Sequence, residues 1–380
     1  MTRSAAIDRS RSLDDLLAAH RARRLSRRGA LAGAAALGVS ASTLGPLLAR
    51  EAAAAPARQE EPTPGGTLRE GYDLDFSRLD PVATDWYDPA FYALFESLLI
   101  DNPEGGLDPS LAEAWEVSED GRTATFTLRE GAMFHSGRPV DAQAVKEVYD
   151  AIKDPANASP LSVLFAPVES IEAPDERTVV LTLGAPDASL LTTLAASASC
   201  LIYSQAFVEA NGGNVDQVAM GTGPFRFVEY VPNTRIVLER NPDYWEAPLP
   251  YLDGIEMTIA ADDTSRTTAV VTGTVDFIEY VPLRDVEILR ADPSLMLAGD
   301  SNTNIRFIGF DLTTEPFDNL QVRQAVAMVV DREAMLGPTV FGNGTPVATL
   351  FPPDFWAALP AAIPNPDIPG ARALLAEAGH

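Results

Sequence analysis

Hydrophobic and polar residues alternate most clearly between Phe225 and Ile259. Phe225 to Val231 and Arg235 to Arg240 are period-two runs on either side of Pro232-Asn233, which predicts a β-hairpin. Gly221, Gly223 and Pro224 punctuate the turn that leads in, and Asn241-Pro242 closes the second strand. Asp253-Gly254 then turns the chain into a third strand, Ile255 to Ala260, which places Tyr244 and Trp245 beside a sheet edge rather than in a helix.

Similar patterns extend along the chain. Thr67 to Tyr72 predicts a short strand, and Asp88-Pro89 caps a helix through Leu99 with Phe91, Leu94, Phe95 and Leu98 on its buried face. Asp120-Gly121 turns into a strand on which Ala124, Phe126 and Leu128 face one way and Thr123, Thr125, Thr127 and Arg129 the other. Asp141 to Lys153 predicts a helix. Val168 to Ala173 and Thr178 to Leu183 predict strands paired across Pro174-Asp175-Glu176. Further helices are expected from Asp187 to Ala196, Gln205 to Ala210, Asp262 or Asp263 to Thr272, Arg284 to Ala291, Gln321 to Val330 and Ala371 to Ala378. Short strands are expected over Phe277 to Tyr280, Leu295 to Leu297 and Ile305 to Asp311. Strands alternating with helices predict an α/β fold.

Length adds that the 380 residues suffice for two or three domains. The formal charge is -26; nine Arg and four acids fall in residues 1–57, leaving 19 basic and 50 acidic residues beyond them. Such a surface repels nucleic acid and anionic lipid and is compatible with a soluble protein outside the cytoplasm or in a salty medium. Arg is chosen over Lys throughout, with only Lys146 and Lys153 present. The single cysteine, Cys200, excludes an internal disulfide and a cysteine-based zinc site, and its apolar surroundings predict a buried small hydrophobe.

The N-terminus reads as a targeting segment. Arg21, Arg23, Arg24, Arg27 and Arg28 precede an uncharged run from Gly29 to Ala49, and Ser26-Arg27-Arg28-Gly29-Ala30-Leu31 resembles a twin-arginine export motif. The run is rich in Ala and Gly, which suits a cleaved signal over residues 1–57 better than a permanent span, with Ala55-Pro56-Ala57 as cleavage site. An uncleaved anchor is the competing reading, because the run is long enough to cross a bilayer. Residues 58–66 read as a linker.

Candidate chemistry is sparse. His135 adjoins Ser136, but neighbours on an extended loop point apart, and no Gly-x-Ser-x-Gly elbow accompanies them. The other histidines are His20 and His380, so no His-rich metal site is expected. No catalytic residue, metal ligand or cofactor is therefore assigned. Arg323, on a helix with apolar neighbours, reads as structural.

Several motifs in fixed order carry a family resemblance. They are Leu79-Asp80-Pro81, Leu111-Ala112-Glu113-Ala114-Trp115, Phe134-His135-Ser136-Gly137-Arg138-Pro139, Gly221-Thr222-Gly223-Pro224-Phe225, Asn241-Pro242-Asp243-Tyr244-Trp245, Leu252-Asp253-Gly254-Ile255-Glu256 and Pro316 to Val326. Together they resemble the extracytoplasmic solute-binding proteins of ABC importers, in the subgroup that includes dipeptide-, oligopeptide- and nickel-binding proteins. Ser136 stands where the family usually has Asp, and Ala144 where it tends to have an acid.

The resemblance implies a two-lobed, type II periplasmic binding protein fold. Residues 67–106 and 219–300 would form the first lobe, 107–218 an inserted α/β subdomain, and 301–380 the start of a second lobe that the family continues well past His380, so the chain reads as C-terminally truncated. It further implies a non-enzymatic, monomeric protein, exported to the periplasm or cell surface. Such a protein captures a small solute, first of all a short peptide, and delivers it to a membrane permease driven by an ATPase. Tyr72, Asp85, Trp86, Tyr87, Asn302 and Asn304 are the expected ligand-binding residues. Alternatives are a sugar, opine or metal-chelate ligand, an exported hydrolase, and a sensor or chaperone on the same fold.

Overall fold

The computed structural model describes residues 62–75, 78–83, 89–102, 106–195, 201–215, 217–299, 305–351, 358–359 and 361–380. Every strand and helix named below belongs to the compact unit Gly65–His380. The expected export segment, Asp88 and Cys200 lie outside the described residues.

The chain opens with β1 (Thr67–Tyr72) and α1 (Pro89–Leu94), then runs through β2 (Leu99–Asp101), β3 (Leu107–Pro109), β4 (Ala112–Val117) and β5 (Thr123–Leu128). The helix α2 (Ala142–Lys153) and two 3-10 turns precede β6 (Val168–Glu172) and β7 (Thr178–Leu183), after which come α3 (Leu190–Ala195) and α4 (Gln205–Ala210). Next are β8 (Phe225–Val231), β9 (Arg235–Arg240), β10 (Gly254–Ile259), α5 (Asp263–Val271), β11 (Phe277–Ile278) and α6 (Val286–Ala291). Helices α7 (Leu320–Val329), α8 (Arg332–Val340) and α9 (Ile368–Glu377) close the described chain.

A five-stranded sheet runs in the order β11-β1-β10-β9-β8. The predicted hairpin forms with Val231 opposite Arg235 and Asn233 at φ 56°, a left-handed value that Asn tolerates at a turn. The third strand returns antiparallel, Ile255 opposite Leu238, and then lies parallel to β1 with Leu68 opposite Ile255. From β10 the chain crosses through α5 to β11, which pairs parallel with the other edge of β1. The first strand is thereby enclosed by two later ones, and its sequence by itself carries no mark of that.

A second, four-stranded antiparallel sheet runs β4-β5-β7-β6. Its predicted alternation holds, because Ala124, Phe126 and Leu128 are buried. The α2 helix, capped by Asp141 accepting from the Ala144 amide at 2.7 Å, buries Val145, Val148, Tyr149 and Ile152. Tyr149 packs against Phe165 with ring centroids 4.9 Å apart. One continuous apolar core joins this sheet to the first, running from Phe126 and Val145 through Phe91 and Leu94 to Ile236 and Met257.

Three expectations are corrected. The helix from Asp88 to Leu99 ends at Leu94, and Leu99 begins β2. Phe91, Leu94, Phe95 and Leu98 are nevertheless all buried as expected. The helix stops where the Gly221–Gly223 turn reaches it: the Gly223 amide donates to the Leu94 carbonyl at 3.0 Å, and a Cβ at Gly221 or Gly223 would collide with the backbone of Ala93 and Leu94. The strands expected at Leu295 to Leu297 and Ile305 to Asp311 do not form, since among the described residues no strand pairs with them. The α8 helix went unpredicted because Gly337 and Pro338 fall inside it.

Candidate functional site

In an open sheet with parallel strands, ligands gather outside the carboxyl ends of those strands. Here the ends of β1, β10 and β11 bring together Tyr72 to Asp75, Ala260 to Asp263 and Glu279 to Tyr280. The Tyr72 carbonyl accepts from the Ala260 amide at 2.7 Å, which continues the parallel pairing past the last ladder position.

Arg266 locks this edge. It is 2% exposed, on the first turns of α5, and its guanidinium donates to the Ala260 carbonyl at 2.9 Å, to Asp263 Oδ1 at 2.8 Å and to the Tyr280 carbonyl at 3.3 Å. One side chain thus ties the end of β10 to the end of β11. Gly71 leaves it room, because a Cβ there would lie 3.5 Å from the Arg266 Cγ and 3.2 Å from Ile278. Asp75 secures the loop after β1 by accepting from the Tyr230 hydroxyl at 3.0 Å and the Asn233 amide at 2.9 Å, both on the hairpin tip.

The remaining groups at this edge are aromatic and acidic. Tyr280 sits at φ 49° and is half exposed, as is Phe277. Glu70, 4% exposed, lies on β1 two residues before Tyr72, and burial with the nearby Glu279 pushes its carboxyl up to about 7. Glu279 is itself raised by burial and by Asp73. Hydrogen bonding, stacking and charge are the chemistry on offer. Among the described residues no group of three His, Cys, Asp or Glu is placed to hold a metal.

Of the expected site residues, Tyr72 is at this edge, but its side chain is 1% exposed and packs into the main core. Asp85, Trp86, Tyr87, Asn302 and Asn304 lie outside the described residues. Glu70, Asp73, Glu279 and Tyr280 were missed. An acid at Glu70 within an otherwise ordinary first strand was the available signal.

His135 is a strut. Its Nε2 lies 3.0 Å from the Gly223 carbonyl and its amide donates to the Gly221 carbonyl at 2.9 Å, while burial lowers its pKa to about 4. A ring held neutral against the backbone in this way braces the Gly221–Gly223 turn. Arg323 donates to the Phe317 and Asp318 carbonyls at 2.7 and 3.0 Å, in keeping with a structural role.

A second polar knot explains the Asn241 to Trp245 motif. Glu96, in the loop after α1, accepts from the Tyr244 hydroxyl at 2.8 Å and from Trp245 Nε1 at 3.0 Å, and Arg129 stacks 3.6 Å above the Trp245 ring. Asn241 donates to the Gly223 carbonyl at 3.0 Å. The motifs around His135, Gly221 and Asn241 therefore converge on one joint with the end of α1 and with Arg129, which directly follows β5.

Comparison with known proteins agrees with this architecture. Residues 106–380 match the model of bacterial extracellular solute-binding proteins, family 5 Middle. The glutathione-binding protein GsiB of Escherichia coli (strain K12) is 32% identical over 309 residues, covering 80% of this chain and 60% of the relative. The binding protein AgaA of A. tumefaciens R10, solved with agropinic acid, superposes with a TM-score of 0.70 at 30% identity, covering 83% of this chain and 64% of that one. The periplasmic binding protein DppA of Helicobacter pylori, solved with the peptide STSA, gives 0.73 at 25% identity, covering 85% and 68%. The chain spans about 60% of the length of the curated relatives it matches. The mixed α/β fold is that of the periplasmic binding proteins, and the chain belongs to the family 5 bacterial extracellular solute-binding proteins.

Proposed function

We propose that this chain captures an amino-acid-derived solute, a short peptide first of all, and hands it to the permease and ATPase of an ABC importer. The observation that carries this reading is the enclosure of β1 between two parallel strands, whose carboxyl ends form one polar and aromatic edge. The segments holding Asp85, Trp86, Tyr87, Asn302 and Asn304 follow in sequence from that edge, after Tyr72 and after Tyr280. On this reading residues 67–106 and 219–300 are the first lobe, 107–218 its inserted subdomain and 301–380 the start of a second. Ligand binds between lobes, and closure follows from its extra contacts in the closed state. The relatives support the class: one is named for glutathione, one is solved with a tetrapeptide and one with an opine acid. Export by a twin-arginine signal and residence outside the cytoplasm complete the proposal. Among the described residues no helix is long and apolar enough to cross a membrane.

A thermal-shift screen tests it, with di- to pentapeptides, glutathione, simple sugars and nickel chelates offered to the purified protein. A ligand that binds only the native state adds about 2.7 kcal/mol at a hundredfold excess over Kd, so a rise of several degrees is expected with a peptide or glutathione. A rise confined to sugars would refute the amino-acid reading. The relatives favour a second, narrower reading, a modified amino acid such as an opine, which the same screen separates by adding opine acids.

A further inference from the structure

Glu70 occupies a position where a strand paired on both sides ordinarily carries an aliphatic residue. Register places it between Met257 of β10 and Phe277 of β11. It is 4% exposed, and its Oε1 is buried without a hydrogen-bond partner among the described residues. A buried carboxyl left in this state is costly and is kept only where something compensates it.

Among the described residues no cation offsets it: burial and a second acid, Glu279, are what act on its carboxyl. Asp73, three residues on and just past the end of β1, also has a buried oxygen, Oδ1, without a partner among the described residues, and Glu279 directly follows β11, the strand paired beside Glu70, so three carboxyls lie at adjacent strand ends. Arg266 packs against Gly71, whose side-chain direction is opposite to that of Glu70; its two Nη groups donate to Ala260, Asp263 and Tyr280, and its Nε is buried without a hydrogen-bond partner among the described residues. Arg69 is held by Asp276, with Nη2 to Oδ1 at 2.6 Å. The three carboxyls are not gathered tightly enough to share a metal ion. An organic cation with several N–H donors can serve carboxyls carried on separate strand ends, and the exposed rings of Phe277 and Tyr280, on β11 and just past its end, offer the aromatic face from which a cation gains.

We propose that Glu70, Asp73 and Glu279 receive a cationic group of the captured solute, an ammonium or a guanidinium. This rests on the solute-binding reading above and narrows it to cationic ligands. Isothermal titration of the full-length protein tests it with two peptides that differ only in the cation, acetyl-Ala-Lys-Ala-amide and its norleucine counterpart, and with agmatine as a non-peptide cation. The lysine peptide is expected to bind at least ~10-fold tighter than the norleucine one. Glu70→Gln and Glu279→Gln are each expected to reduce that preference by about 10-fold, equivalent to ~1.4 kcal/mol. Glu279 is only partly buried, so its variant keeps the test open if Glu70→Gln fails to fold. Equal affinity for the two peptides overturns the cation site and leaves the peptide reading standing. Agmatine binding that is lost in Glu279→Gln, with no peptide bound, upholds the cation site and removes the peptide reading. A lysine preference that survives both substitutions, or no binding by any cationic probe, overturns the site.

Discussion

Glu96 and His135, two partly buried titratable residues in the joint around the Gly221–Gly223 turn, have opposite pH signatures. Burial raises Glu96 to about 7, against hydrogen bonds from Tyr244 and Trp245 that pull it down. A carboxyl whose folded pKa exceeds its unfolded value adds stability that is complete below the unfolded value and lost as pH rises through about 7. His135 is the reverse case: its folded pKa of about 4 lies below the unfolded value, so its contribution is complete above ordinary histidine pKa values and lost as pH falls through 4. The melting temperature is therefore expected to peak in mildly acidic buffer. Glu96→Gln, which keeps an acceptor for Tyr244 and Trp245, should flatten the alkaline limb, where the shift corresponds to ~3 kcal/mol. His135→Asn should flatten the acid limb. Melting curves between pH 3.5 and 8.5 check both, and an unchanged alkaline limb in Glu96→Gln would show that the carboxyl is compensated in another way.

Among the helices and strands, capping and period-two alternation were legible because they are local. Asp141 and Asp262 each accept an amide hydrogen bond from the helix they were expected to begin, and the faces of β5 are sorted as their residue types demand, whereas the Asp331 and Asp367 caps went unread. Where elements stop was less legible, because neighbours decide it. The α1 helix ends at Leu94 under a turn more than a hundred residues later in sequence. Gly221→Ala would place a Cβ into the Leu94 backbone, so a loss of more than ~3 kcal/mol is expected in chemical denaturation, with the hydrogen bonds of Gly223 to Leu94 and His135 broken together. Arg266→Met should cost about 2–4 kcal/mol, since it strands the Ala260 and Tyr280 carbonyls and leaves half-exposed Asp263 only the more distant Arg284 at 3.9 Å. Hydrogen exchange resolved by segment should show β11 and the end of β10 opening in that variant while β4 to β7 stay protected.

Across the molecule, apolar surface is unevenly distributed. The core from Tyr72 to Met257 is closed, whereas Met296 is 88% and Phe307 81% exposed, and Leu312, Leu320, Leu350 and Leu359 are exposed as well. Apolar surface on this scale binds hydrophobic dyes and partners. Native protein should bind bis-ANS with a signal that Phe307→Ser lowers, and dye binding unaffected by that change would place the sticky surface elsewhere. Local patterns in the sequence determined the hairpin, the β5 faces, the caps and the α/β class, because each depends on residues a few positions apart. The motifs around Gly221, Asn241 and Leu252 sufficed to point to the family. Tertiary structure alone decided that β1 is enclosed by β10 and β11, that Tyr72 turns into the core, and that Glu70, Asp73 and Glu279 meet at one edge. Parallel pairing joins residues some two hundred positions apart, and no local periodicity records which strand will lie beside which.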